Sequence, residues 1–282
     1  MNVSDVMTPR EEVVTVELPG TRDDVLEYLQ ERAFSSVPVV KRTDEGEEFR
    51  GLISRDALID QPDEDQLALL VEEVPTITAD ASIRKVATLM VEQRARRVPV
   101  VDGRLEGIIT VTDVVRAIAS GDVDGTTAVG DVARRDVNCV YEGTPLHVAE
   151  RELSHADVPY GVVLDDEATM CGMLTEVDVL DVARVVEGEE ETGESMAGDD
   201  DDWKWESIKA VGSRYMPTRN VEIPAGPVGE FMTADLVTIN GRRTTQEAAR
   251  TMIDEGIEQI PLVSGSDLEG MVRDMDLLEA LV

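Results

Sequence analysis

At 282 residues with 42% hydrophobic side chains, the chain is long enough to bury a core, and with aromatics at only 3% that core must be built from aliphatic residues. The formal net charge of -34, from 60 acidic against 26 basic residues, repels nucleic acid and anionic membranes and excludes both as expected partners. No run reaches the ~18 apolar residues of a membrane span, and the polar sequence after Met1 is unlike a signal peptide, so a soluble cytoplasmic protein is expected.

Lysine occurs only at Lys41, Lys85, Lys204 and Lys209, the other basic residues being arginine. Together with the acidic excess this suggests a cytosol of high salt, as in a halophile; the alternative is an acidic mesophilic protein. Cys139 and Cys171 lie in apolar, strand-like runs without metal-ligand spacing and read as small buried hydrophobes.

Taken in order, the chain repeats one unit. The first, residues 1–62, opens with Val6-Met7-Thr8-Pro9 and a short strand over residues 13–16, and a helix follows Thr21. Val37-Pro38 begins a hairpin whose charged turn, from Lys41 to Arg50, reads as a mobile loop before Gly51 opens the second strand. The second unit, residues 63–122, is the most regular. Ser82 precedes a helix whose apolar face is Ile83, Val86, Ala87 and Met90, at i, i+3, i+4 and i+7. Val98-Pro99-Val100-Val101 and Gly107-Ile108-Ile109 flank Asp102-Gly103, a dipeptide that adopts positive φ readily and closes a tight hairpin. Thr110, Thr112 and Asp113 are then candidate caps for a helix continued by Val114, Val115 and Ile118. Unpaired N–H groups beside a hydroxyl and a carboxylate can hold a phosphate and a sugar diol.

The third unit, residues 123–187, places Thr144-Pro145 at a helix start, then Val158-Pro159 and Gly172. Residues 188–227 break the pattern as an acidic linker with a short tryptophan-containing segment. The run 187–202 has too little apolar surface to order and is expected to be mobile, and its tetrad Asp199 to Asp202 has no EF-hand framing, so no metal is expected. Trp203, Trp205, Ile208 and Val211 suggest a short amphipathic helix docked on the body, with Asp202 as its cap. The fourth unit, residues 228–282, begins with Met232-Thr233, and Thr244, Ile260-Pro261 and Gly270 keep the order. Each unit reads as strand, helix, strand, hairpin strand, helix. Alone it is too small to cover its apolar surface, so units should pair, first with second and third with fourth.

The Met-Thr openings, the aliphatic-Pro-aliphatic strands and the Gly-hydrophobic-hydrophobic-Thr-x-x-Asp endings together resemble the cystathionine-β-synthase (CBS) domain. The resemblance implies an α/β (α+β) fold: four βαββα CBS repeats packed as two Bateman modules. It also implies regulation, with clefts between paired repeats taking an adenine nucleotide (AMP, ADP or ATP) or S-adenosylmethionine as ligand. No other cofactor is required.

On that resemblance, Thr110 and Asp113 in the second repeat, and Thr175 and Asp178 in the third, match in full. The hydroxyl would donate to a phosphate and the carboxylate would accept from both ribose hydroxyls. In the fourth repeat Asp276 keeps its place and Arg273 replaces threonine. In the first, Ser54 replaces threonine, Ala57 stands in the aspartate's place and Asp56 is one position early. Independently of the family, Arg84, Lys85, Arg94, Arg96, Arg97 and Arg104 form a basic stretch in an acidic chain. Arg96 and Arg97 directly precede Val98-Pro99, so a phosphate there and adenine against Val98 are expected; the alternative is ion pairing with the acidic remainder. His147 and His155 lie near no plausible nucleophile, so no enzyme is expected. The reading is a non-enzymatic sensor, a homodimer acting on a target protein the sequence does not name. Its rival is a ligand-free dimerising scaffold with degenerate clefts.

Overall fold

The computed structural model describes residues 1–31, 36–44, 46–54, 57–58, 61, 64–156, 158–182, 184–188, 205–206 and 218–282. These fall into two compact units, one comprising Met1–Arg134, Ile239–Leu262 and Met271–Val282, the other Arg135–Thr238 and Val263–Gly270. The architecture is mixed α and β, built from the repeated motif.

In repeat one, β2 (Val16–Leu18) runs parallel to β3 (Ser36–Thr43), with helix α1 (Arg22–Glu31) between them, and β3 pairs antiparallel with β4 (Gly46–Ser54). Repeat two has the short helix α2 (Leu67–Leu70), helix α3 (Ile83–Gln93), the hairpin β5 (Arg97–Asp102) and β6 (Arg104–Thr110), and α4 (Val111–Ser120), after which comes the short helix α5 (Val129–Val132). The Ser82 hydroxyl accepts from Lys85 N at 3.3 Å to start α3, and Arg94, at φ 52, ends it in the left-handed region. Ile83, Val86, Ala87 and Met90 are all buried, as their spacing predicts. Ile77 N donates to Pro99 O at 3.1 Å and Val101 N to Ile77 O at 2.8 Å. The parallel neighbour thus uses the proline's own carbonyl and the Val101 N–H, so the missing Pro99 N–H is not needed there.

In the second unit, β7 (Cys139–Tyr141), α6 (Leu146–Ala156), β8 (Tyr160–Leu164), β9 (Met170–Thr175) and α7 (Glu176–Val182) repeat the order around Val140, Leu146, Leu153, Val163 and Leu174. Strand period places Val140 inward, which leaves Cys139 exposed; Cys171 is half-buried, so neither cysteine is the fully buried hydrophobe expected. Repeat four contributes α8 (Thr245–Glu255), the hairpin β13 (Gln259–Ser264) and β14 (Asp267–Arg273), and α9 (Asp274–Glu279).

The segment before each repeat leaves it and joins another. Thr8-Pro9 forms β1 against Ile108 and Gly107 of repeat two, and Val3 N donates to Ala81 O at 2.8 Å. Going the other way, Glu72 and Leu52 of repeat one exchange bonds of 2.8 and 3.1 Å. This reciprocal exchange joins the first repeat to the second, as expected. Before repeat three, Arg134 pairs with Met271 of repeat four through two 2.8 Å bonds; before repeat four, Thr233 pairs with Met173 of repeat three at 2.9 and 3.0 Å. The hairpin glycine is required by this contact. A Cβ on Gly107 would lie 2.4 Å from Thr8 O, and one on Gly51 2.3 Å from Glu72 O.

Three expectations change. The charged stretch from Lys41 to Arg50 is drawn into the β3–β4 ladder as far as Thr43 opposite Gly46, Glu45 lying outside the described residues. It is anchored by Arg10, whose Nε and Nη2 donate to Glu47 at 2.8 and 2.6 Å. The first strand starts at Val16 because Arg10–Glu12 form a 3-10 turn, whose hydrogen bond occupies Val13 N. Trp205–Glu206, expected in a helix, form strand β11 against β12 (Thr218–Glu222), which also pairs with β10 (Arg184–Gly188). The expected mobile run lies, from residue 189 on, outside the described residues, as do Trp203, Ile208 and Val211.

The largest core was not foreseen. It joins repeats two and four, with Val115 and Ile118 of α4, Ala248 and Met252 of α8 and Leu277 and Leu278 of α9 all buried in it.

Two outcomes are expected. Gly107→Ala should lower unfolding stability by about 1–3 kcal/mol, because its new methyl meets backbone, and by more than Gly103→Ala, where the space is open and only the φ of +69° resists; urea denaturation checks both. The Glu47 carboxyl is held below its ordinary 4.5, first by the hydrogen bond from Arg10 and against burial. Its stabilisation is therefore complete above the unfolded value and lost as pH falls through the lower folded one. Thermal melts from pH 7 to about pH 3 should show a shallower acid limb for Glu47→Gln than for the parent chain.

Candidate functional site

In repeats two, three and four the second hairpin strand runs straight into the N-terminus of the last helix, and the motif residues sit at that junction. Thr110 caps α4: its N and Oγ1 donate to Asp113 Oδ2 at 2.9 and 2.7 Å, and Asp113 N returns to Thr110 Oγ1 at 3.4 Å. The Thr-x-x-Asp spacing is thus a capping box before it is anything else. Asp113 Oδ1 accepts from Arg116 Nη1 at 3.1 Å, and that arginine is 61% exposed. One carboxylate oxygen is fixed by the backbone; the other is held by a single solvent-facing side chain.

Repeat three copies the box. Thr175 N and Oγ1 donate to Asp178 Oδ2 at 2.8 and 2.7 Å, while Thr233 Oγ1 donates to Asp178 Oδ1 at 3.0 Å. In repeat four Asp276 is fully buried. Arg273 N and Nε reach its Oδ2 at 2.9 and 3.1 Å, and Arg273 Nη2 and Arg134 Nε reach its Oδ1 at 2.8 and 3.1 Å. Arg273 thus turns onto its own repeat's aspartate instead of reaching outward for a phosphate. In repeat one the Ser54 hydroxyl accepts from Ala57 N at 3.0 Å, Ala57 is buried, and Asp56 lies outside the described residues.

The basic pair is divided. Arg96 donates to Asp274 Oδ2 and Oδ1 at 2.6 and 3.1 Å and to Glu258 Oε2 at 3.0 Å. It does not stand open for a phosphate, and ion pairing, the alternative reading of the basic stretch, describes it. Arg96 and Glu258 hold equivalent positions, since the Arg96 carbonyl accepts from Val111 N at 3.0 Å and that of Glu258 from Asp274 N at 2.8 Å. Burial, the largest single influence, lowers the pKa of Arg96, but the hydrogen bond and charge of Asp274 together with the charge of Glu258 outweigh it and the net shift is upward. Arg97 is half-buried, and its pKa is lowered, first by burial and then by the charge of Arg96. Val98 is completely buried and cannot present its side chain to an adenine. Beside this ion pair a cleft of about 250 Å³ is lined by Thr112, Val115 and Arg116 from repeat two and by Met252, Ile253, Glu258 and Asp274 from repeat four.

Among the described residues no group of three His, Cys, Asp or Glu is placed to hold a metal ion, and no helix is long and apolar enough to cross a membrane. The CBS domain model matches residues 3–64, 68–120, 129–184 and 228–282. The chain belongs to the CBS domain family. It is 25% identical over 279 residues to the uncharacterized protein MJ1404 of Methanocaldococcus jannaschii, covering 98% of this chain but 61% of that relative's length. It is similar in structure to an uncharacterized conserved protein from Pyrococcus horikoshii, at TM-score 0.71 and 30% identity with both chains covered in full. It also shares its fold with M. jannaschii MJ1225, proposed as an archaeal homolog of g-AMPK, at TM-score 0.67 and 18% identity over the whole of both chains. These relatives come from other archaea and do not support a haloarchaeal source; the high-salt reading rests on composition alone.

Sequence reasoning missed the CBS repeats' borrowed contacts. Thr233 stood out only as a Met-Thr opening, and Arg134, Asp274 and Glu258 carried no signal beyond their charge. Removing Arg96 leaves Asp274 buried without its bidentate partner. Because Arg96 itself is 45% exposed, Arg96→Met is expected to cost about 1–3 kcal/mol, at the lower end of values for buried pairs. A double-mutant cycle with Asp274→Asn, followed by urea denaturation, measures the coupling, and a zero coupling energy would exclude the ion pair as a link between repeats two and four.

Proposed function

We propose that this CBS protein is a non-catalytic sensor of an adenosine-containing ligand, AMP, ADP, ATP or S-adenosylmethionine, bound first in the cleft of repeat two. The observation that carries the reading is Asp113, whose Oδ2 is fixed by the Thr110 cap while Oδ1 is held only by the exposed Arg116 among the described residues. A ribose diol replaces that one contact without disturbing the helix start. The Thr110 hydroxyl already donates to Asp113, so the phosphate falls chiefly to Arg97, whose charge is disfavoured by burial and by Arg96 and gains from an anion. Repeat three, with Thr175 and Asp178, is a second site in which the ligand displaces the Thr233 hydroxyl. Ser54 in repeat one, and Arg273 with Asp276 in repeat four, mark weaker clefts. The reading includes a cytoplasmic location at high salt, a homodimer and a regulated target protein.

The scaffold reading keeps one specific observation in its favour: the carboxylate of repeat four is closed off by arginines and repeat one lacks it. Calorimetric titration of AMP at high salt separates the two. Loss of a charge-assisted hydrogen bond is worth ~1.5–3 kcal/mol, so Asp113→Ala is expected to weaken binding about tenfold or more. Arg97→Glu should weaken AMP more than adenosine, since only the anion loses a partner. Absence of heat with AMP, ADP, ATP and S-adenosylmethionine alike would leave the scaffold.

A further inference from the structure

One register position recurs in all four repeats. Opposite the apolar residue that follows the hairpin glycine stands a residue borrowed from a distant segment: Glu72 opposite Leu52, Thr8 opposite Ile108, Thr233 opposite Met173 and Arg134 opposite Met271. In repeats three and four the borrowed residue reaches the motif aspartate at the helix start, and what the four residues do differs. Thr8 makes no hydrogen bond to Asp113, Thr233 gives Asp178 one hydroxyl at 3.0 Å, and Arg134 gives Asp276 a guanidinium at 3.1 Å while its Nη2 reaches Glu279 at 2.5 Å. Glu72 faces no carboxylate, because Ala57 occupies that place.

We propose that this borrowed residue decides which clefts admit a ribose diol, and that Arg134 is a tethered plug that holds the fourth cleft shut. Capping alone does not call for it. Asp113 and Asp178 perform the same N-terminal capping without a guanidinium from outside their repeat, whereas the completely buried Asp276, already bonded by its own repeat's Arg273, receives a second guanidinium from 142 positions away. Arg134 places one charged N–H, its Nε, on the Oδ1 that a diol would otherwise reach while its Nη2 is tied to Glu279, and a charged donor is a stronger occupant than the neutral hydroxyl of Thr233. The ligand class rests on the sensor reading above; the plug itself does not.

The test therefore begins without a nucleotide. Arg134→Ala is heated with and without millimolar methylguanidinium chloride, with potassium chloride at the same concentration as the salt control. Methylguanidinium is expected to raise the Tm of the variant by about 3 °C and to leave the parent chain and Arg134→Ala/Asp276→Asn unmoved. A folded Arg134→Ala that gains nothing from methylguanidinium overturns the plug; if the alanine variant does not fold, Arg134→Gln is tested in its place by the same criterion. AMP is then titrated into Arg134→Thr/Arg273→Thr, which restores the full motif. One additional AMP per chain, abolished by adding Asp276→Asn, supports the diol as what the plug excludes. Rescue by methylguanidinium without any gain in AMP keeps the plug and rejects the adenosine ligand for this cleft.

Discussion

The structure depends on one close approach, that of a foreign strand's backbone to the hairpin glycine. A Cβ on Gly107 would stand 2.4 Å from the Thr8 carbonyl oxygen and one on Gly51 2.3 Å from that of Glu72, so no other residue fits without displacing the strand. That contact ties repeat one to repeat two and sets the register that delivers Thr8 and Glu72 to their places; Arg134 and Thr233 pair at the equivalent position of the other two repeats. A single repeat leaves its helix start half-built, and a segment from elsewhere completes it.

The Thr-x-x-Asp ending performs two tasks that compete for the same atoms. As a capping box it satisfies backbone donors at the start of a buried helix, a contribution of about 1 kcal/mol that each repeat needs whether or not it binds anything. As a ligand site it has only the oxygen left over, the Oδ1 of Asp113, Asp178 or Asp276. A complete motif therefore identifies a well-started helix, and the availability of one oxygen distinguishes a cleft that can accept a diol.

Much of the fold was legible because its signals are local. The prolines after aliphatic residues, the hairpin glycines and the apolar face at Ile83, Val86, Ala87 and Met90 are properties of short windows, and they gave the repeat, its elements and the pairing of the first with the second. What failed was long-range. Arg96 stands next to the motif in sequence, yet its partners lie 162 and 178 positions away, and nothing near it announces Glu258 or Asp274. The helix drawn around the tryptophans failed for a related reason, since Trp205 pairs with Val221 across a segment that no helical period can reveal. The core shared by α4 and α8 was equally invisible, because an amphipathic helix shows that it has an apolar face but not which helix covers it.

The charge distribution takes on a different meaning with those partners known. A chain of net charge -34 with a basic stretch invites an anionic ligand as explanation, but Asp274 and Asp276 are buried carboxylates that themselves require cations. Arg96 and Arg134 supply them from other repeats, so part of the apparent surplus of positive charge is consumed inside the molecule. Only the carboxylate ends of these links are buried, the arginines being 45% and 44% exposed, so salt screens them less than it screens pairs exposed at both ends. Arg97 differs from Arg96 in that burial and its neighbour's charge outweigh the opposing charge of Glu258, so its pKa is lowered on balance where that of Arg96 is raised. Of the pair that precedes Val98, Arg97 is therefore the residue to which the proposed phosphate contact is assigned.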